Sequence, residues 1–189
     1  RVKYSKINAL IDATDTAITS NITKVKMRRD MSPAFNTFAT YEVCFGNRIY
    51  IKKDGYSIKS SGFKISGVND TLYMGDIAES DSSGRVFFFK LVNNIPSIVK
   101  VNAGTIDYIK GEILLDVVNI ESTALNNNVI EVEAVPDSND IIGLKDLYLQ
   151  IDVGNSVVNT VEDTITSGEN TAATLFVPTS SYLNGQFTR

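Results

Sequence analysis

Runs of apolar residues divide most of the chain into short segments of the length of β-strands. The clearest two, Thr105 to Tyr108 and Glu112 to Val118, flank the tripeptide Ile109-Lys110-Gly111. Because Gly111 can adopt a positive φ at little cost, this stretch predicts a β-hairpin with a short loop. The second run is almost continuously apolar, which predicts a strand covered on both faces near the centre of a sheet.

One segment has the periodicity of a helix instead. Between Ser5 and Ser20 the apolar positions follow the i, i+3, i+4, i+7 spacing that places them on one face of an α-helix. Ser5 is suited to be the N-cap, and Ser20-Asn21 predicts the end of the helix. The stripe is narrow, so we expect this N-terminal amphipathic helix to pack on antiparallel strands.

The segment Thr23 to Arg29 alternates strictly between two kinds of side chain. One side carries the basic residues Lys24, Lys26 and Arg28, which predicts a half-buried strand with a basic outer row. Such a row indicates a partner with an acidic surface, or nucleic acid. The alternative is a solvated edge strand whose lysines prevent edge-to-edge pairing, and no aromatic residues interleave the charges.

Charge divides the chain into two unlike parts. Residues 1–64 carry 12 Lys/Arg against 5 Asp/Glu, a net of +7, whereas residues 65–189 carry 6 against 17, a net of −11. This argues against nucleic acid as the partner of the whole chain and is typical of subunits that meet with complementary potential. It also suggests a subdomain boundary in the loop-like segment after residue 65.

The predicted fold class is therefore α+β and β-dominated. We expect residues 1–66 to contain the helix above a meander of short antiparallel strands, and residues 67–153 to form a mostly antiparallel β-rich subdomain. Residues 154–189 are rich in Ser, Thr, Asn and Gly. This C-terminal tail is predicted either to be flexible or to be an extended arm that becomes ordered on a partner.

Three adjacent aromatic residues, Phe87, Phe88 and Phe89, lie in one predicted strand. Successive side chains of a strand point to opposite faces, so the three rings cannot share one face. Either both faces of this strand are covered, or one ring lies at an interface. We therefore consider Phe87, Phe88 and Phe89, with the basic row, as a candidate interface.

The residue types needed for most enzyme chemistry are scarce. The chain contains no histidine, and its single cysteine, Cys44, excludes an intrachain disulfide and a cysteine zinc site. Cys44 lies in an apolar run and is predicted to be buried. No phosphate-binding glycine motif and no calcium-loop spacing is present. We therefore predict no catalytic, cofactor or metal site, and no apolar run is long enough for a membrane helix.

Two other functions stay open at this level. Glu131 and Glu133, two residues apart on a predicted strand, could form the carboxylate pair of a hydrolase, although a solvated strand face also explains them. A carbohydrate-binding or adhesin-like β-module would present an exposed row of aromatic residues on one sheet face. The chain has no tryptophan but has eight tyrosines.

Three stretches in a consistent order resemble a known family. The hairpin GTIDYIKGEILL, Gly104 to Leu115, resembles the GxIDYxxGxI strand-turn-strand of baseplate proteins from contractile-tailed phages. Ile7 to Pro33 is similar to the helix-then-strand segment of baseplate J-type proteins. EAVPDSNDI, Glu133 to Ile141, followed by LYLQIDV, resembles the segment after that hairpin in T-even type baseplate wedge proteins. Together these stretches cover about half of the chain.

The resemblance implies a structural protein of the virion without an active site. The chain would be a C-terminal fragment of such a wedge protein, assembled in the host cytoplasm. It would form a homodimer, link neighbouring wedges into a ring around the tail hub, and rearrange when the sheath contracts. Its partners would be other baseplate wedge proteins, with neither nucleic acid nor membrane among them. The resemblance transfers no catalytic or ligand-binding residue.

Overall fold

A computed structural model of the chain describes residues 2–16, 18, 20–143, 154 and 157. Residues up to 143 belong to one unit, which extends to residue 149, and the last two described residues belong to a second unit. In the described part of the first unit one short helix precedes nine strands: α1 Tyr4–Asp12, β1 Met27–Met31, β2 Phe38–Cys44, β3 Ile58–Ser60, β4 Phe63–Ile65, β5 Tyr73–Ala78, β6 Ser83–Val92, β7 Ile95–Asp107, β8 Glu112–Thr123 and β9 Ile130–Ala134. The predicted α+β, β-dominated class is confirmed.

The strands form two antiparallel sheets. The smaller sheet has the order β1-β9-β3, and the larger has the order β2-β8-β7-β6-β5 with β4 also paired to β8. The central hairpin is confirmed, because β7 and β8 pair from Gly104↔Leu115 to Asp107↔Glu112. Gly111 closes its turn with a φ of 72°. A Cβ there would lie 2.1 Å from the carbonyl oxygen of Asn47, so the close approach also requires glycine.

The strands of residues 22–66 do not form the expected meander. β1 and β3 both pair with β9, while β2 and β4 both pair with β8. Strands from both sides of residue 66 therefore share each sheet, and the predicted boundary does not separate two units among the described residues. Each early strand bonds to a segment about 55 residues or more further along the chain.

One core lies between the two sheets. Apolar residues at alternate positions of the strands point into it, and β9 shows this most regularly: Ile130, Val132 and Ala134 are buried, and the glutamates between them are not. The second arm of the central hairpin also alternates. Leu114 and Val117 are exposed, so the expectation that this strand is covered on both faces was wrong.

Helix α1 is shorter than predicted and less buried. It ends at Asp12, its N-cap is Lys3 rather than Ser5, and none of its nine residues is fully buried. The Thr14 hydroxyl donates to the Leu10 carbonyl, a local bond typical of chain leaving a helix. The helix is joined to the sheets where Tyr4 donates its N–H to Asp140 and its hydroxyl to the carbonyl of Thr23.

One further prediction, the burial of Cys44, is only partly met, and two others fall on residues outside the described part of the chain. Cys44 is half-buried, since its position on β2 faces the side opposite to the buried Val43. The predicted strand from Leu144 to Val153 and the C-terminal tail lie outside the described residues, apart from residues 154 and 157.

Candidate interaction surfaces

The three phenylalanines of β6 are covered within the chain. Phe88 has no exposed surface and packs edge-on against Phe63 in the core. On the opposite face, Phe87 is buried and Phe89 is half-buried. Both faces of the strand are therefore covered, as the first alternative expected. Phe87 and Phe88 are too buried to form a contact with a partner without rearrangement, and of the three rings Phe89 has the most accessible surface.

A small aromatic cluster covers this opposite face. The ring of Tyr56 lies 5.3 Å from the rings of both Phe87 and Phe89, in each case edge to face, and Tyr73 lies beside Phe89 at 5.7 Å. Gly75 makes the cluster possible, because a Cβ there would lie 2.8 Å from the Phe87 ring. The rings pack against one another. Among the described residues only Phe38 and Tyr50 are exposed aromatics, and these do not form a row on one strand.

Of the predicted basic row only Arg28 lies in β1, because the strand begins at Met27 and Lys24 and Lys26 precede it. Arg28 and Lys26 contact the two candidate carboxylates. Strand β1 pairs with β9 so that Arg28 faces Glu133 and Asp30 faces Glu131. Arg28 contacts Glu131 at 3.0 Å and Asp30 at 2.9 Å, and Lys26 contacts Glu133 at 2.8 Å. The hydrogen bond to Asp30 raises the pKa of Arg28. Lys26 and Arg28 thus neutralise the two glutamates, as cross-strand pairs commonly do. The sequence pattern had suggested the basic and the acidic residues as two separate candidate sites.

Beside this row, positive charges outnumber negative ones. A small open groove of about 70 Å³ is lined by Lys26, Lys52, Ser57, Lys59, Glu133, Ala134 and Val135, and we call it the lysine groove. The Lys52 ammonium donates to the carbonyl of Tyr56 at 3.1 Å, and Lys59 has no ionic partner in the described part of the chain. The groove is therefore lined by three lysines and one glutamate.

Within the described residues, the one fully buried carboxylate belongs to Asp76 on β5. It accepts a hydrogen bond from the Tyr108 hydroxyl at 2.6 Å and another from the N–H of Ile58 at 2.8 Å. Burial, and then the bond to Asp76, raise the pKa of the Tyr108 phenol above its ordinary value. The cluster joins β5, the start of β3 and the turn after β7, so its geometry is that of a structural connection.

An apolar ribbon extends beyond the rest of the larger sheet. β5 pairs with β6 only as far as Phe89, and β8 pairs with β7 only from Gly104 onward. Between these limits β6 and β7 pair only with each other among the described residues. The ribbon residues Leu91, Val92, Ile95, Ile98, Val99 and Val101 are between 39% and 68% exposed. We call residues 90–103 the β6–β7 ribbon.

Sequence reasoning missed the ribbon, the lysine groove and Asp76. An aspartate within the apolar strand YMGDIA was a visible signal, since a lone carboxylate is rarely buried without partners. No local sequence pattern indicated the ribbon or the lysine groove. Among the described residues no cluster of three potential metal ligands occurs, and none of the helices there has the length and apolar character needed to cross a membrane.

No protein-family model, curated protein or solved structure matches this chain.

Proposed function

We propose that this chain is a structural subunit that associates with copies of itself, and that it does so in the baseplate of a contractile phage tail. The observation that carries the proposal is the β6–β7 ribbon. The baseplate assignment is supported by the resemblance of the hairpin Gly104 to Leu115, whose two strands are the neighbouring β7 and β8.

Apolar side chains cover both faces of the ribbon. Val92 pairs with Ile95, and the next pair, Leu91 with Pro96, points to the other face because successive residues alternate. Ile95 is 68% exposed and Ile98 is 52% exposed. A two-stranded ribbon is marginally stable by itself in water, so covering both faces would stabilise it.

The energy available from such a contact is sufficient for association. Complete burial of a single Leu, Ile or Val side chain contributes about 1.5–3 kcal/mol, and each ribbon residue has roughly half of that still to gain. Apolar surface of this kind, concentrated in one projecting element, is characteristic of protein–protein contacts. The same element is present on every copy, which is the condition for an isologous dimer.

The test is sedimentation velocity of the purified chain over a wide concentration range. We expect a concentration-dependent dimer whose dissociation constant rises about tenfold or more in Ile98→Asp, because a charge replaces an apolar contact. Leu114→Asp is the matched control, since Leu114 is also 52% exposed but lies outside the ribbon on β8.

Each outcome bears on a different part of the proposal. A wild-type chain that remains monomeric at high concentration would contradict self-association. A dimer weakened equally by both substitutions would leave self-association standing but would exclude the ribbon as its contact. The baseplate assignment is tested by labelled antibodies on purified particles, which should mark the tail baseplate and not the capsid.

A further inference from the structure

We infer that the lysine groove is a docking site for an extended acidic peptide segment of another chain. This inference is independent of the ribbon and of self-association. It rests on which of the basic side chains of β1, β3 and the loop before β3 have ionic partners.

Within the basic row, Lys26 and Arg28 have little charge to offer. Arg28 is held by Asp30 and Glu131, and Lys26 by Glu133. The excess lies one step further across the small sheet. Lys59 of β3 pairs in register with Glu133, which already contacts Lys26, so one carboxylate is flanked by two ammonium groups.

Lys52 adds a third positive charge that is held in position. Its ammonium donates to the carbonyl of Tyr56, and its backbone N–H donates to the Ser57 hydroxyl at 3.0 Å. Tyr56 has a φ of 58°, which is uncommon for a residue other than glycine, and its own N–H is fixed to the carbonyl of Asp76 at 2.8 Å. The turn therefore presents Lys52 without depending on a carboxylate.

The chemistry of the groove favours a ligand that carries several negative charges. The three lysines come from different segments: the residues just before β1, the loop before β3, and β3 itself. Lysine binds carboxylate and phosphate alike as a point charge, so competition between hexaglutamate and pyrophosphate distinguishes the two kinds of ligand. A segment with several Asp or Glu residues could contact these ammonium groups one after another. Glu133 offsets part of their positive charge.

Fluorescence anisotropy with a labelled hexaglutamate peptide tests this site on the full chain. We expect saturable binding at low salt that weakens strongly at about 0.3 M salt, where exposed charges are screened. Lys59→Glu should weaken binding about fivefold to tenfold, because reversal removes an attraction and adds a repulsion. Lys64→Glu on β4 is the matched control, as this exposed lysine changes the net charge equally but does not line the groove.

A second variant tests the site by gain of binding. Glu133→Gln removes the carboxylate of the groove and frees Lys26, so the peptide should bind about twofold to fivefold more tightly. Equal weakening by Lys59→Glu and Lys64→Glu would show attraction to net charge alone and would overturn the inference. So would a lack of saturable binding, or displacement of the peptide by pyrophosphate at lower concentration than by free hexaglutamate.

Discussion

Two groups of carboxylates in this protein lie in opposite surroundings. Asp76 is fully buried and is held by a phenol and a backbone N–H. Glu131 and Glu133 lie on the outer face of the small sheet and are held by Arg28 and Lys26. In the first group the protein supplies hydrogen-bond donors in place of water, whereas in the second group water still competes with every ion pair.

The difference determines which group the fold depends on. A donor left unsatisfied inside a protein costs about 1–3 kcal/mol, whereas an exposed ion pair contributes about 0–1 kcal/mol. Substitutions in the Asp76 cluster should therefore lower the free energy of unfolding, while those in the outer row should change what the surface binds. The predictions below test this contrast in decreasing order of effect.

Asp76→Ala should have the largest effect on stability. It removes both acceptors, so the Ile58 N–H is left buried without a partner and the Tyr108 hydroxyl loses its bond to Asp76, and we expect a loss of about 2–4 kcal/mol. Asp76→Asn retains one oxygen and should lose less. Urea unfolding followed by circular dichroism measures both, and Asp116→Ala is the control, because Asp116 is exposed on β8. A loss below about 0.5 kcal/mol in Asp76→Ala would contradict the structural role.

Tyr108→Phe should have a smaller effect, with a dependence on pH. Loss of the hydroxyl removes one bond to Asp76 and should cost about 1–2 kcal/mol at neutral pH. Folding raises the pKa of Tyr108, so the phenol stabilises the fold below its ordinary pKa of about 10 and loses this contribution as the pH rises beyond that value.

The pH profile separates this role from packing alone. The difference in unfolding free energy between wild type and Tyr108→Phe should be constant up to about pH 9 and should shrink above about pH 10. Tyr41→Phe, which changes a half-buried tyrosine of β2, provides the comparison. A difference that stays constant through pH 11 would show that Tyr108 does not titrate differently in the folded and unfolded chains.

The contrast also shows what sequence could and could not predict. Alternation identified β9, because a sheet face turned toward a core leaves a period of two in the sequence. The apolar runs on either side of Gly111 identified the central hairpin. Alternation could not identify the partners of β1 to β4, which lie about 55 residues or more away in β8 and β9. A strand in the meander expected for residues 22–66 would show the same alternation as a strand paired across the chain.

The prediction of which strand faces are exposed failed for a related reason. The apolar run of β8 predicted burial on both faces, yet Leu114 is 52% exposed because the outer face of the larger sheet has no covering layer there. The ribbon residues Ile95 and Ile98 look like ordinary strand residues, and they are exposed because neither β5 nor β8 extends alongside them. Both facts depend on where neighbouring strands end, which no local pattern records.

The length of helix α1 was overestimated because the helical spacing of apolar residues continues past its last turn. The apolar spacing extends beyond Asp12, but Thr14 and Asp15 favour hydrogen bonds to nearby backbone over a continued helix.

For the candidate surfaces, the sequence shows directly that Lys26 and Arg28 are charged. Their neutralisation by Glu131 and Glu133 depended on the pairing of β1 with β9, two segments about 100 residues apart.

Glu131→Gln should have the smallest effect and thus define the other limit of the comparison. Glu131 contacts Arg28 on the outer face, and Arg28 also contacts Asp30, so the arginine keeps one carboxylate partner after the substitution. We expect the free energy of unfolding to change by less than about 0.5 kcal/mol, with any loss at low salt disappearing at about 0.5 M salt. The same urea titration at both salt concentrations measures this. A loss above about 1.5 kcal/mol that persists at high salt would mean that the outer row holds the small sheet together and that the contrast with Asp76 does not exist.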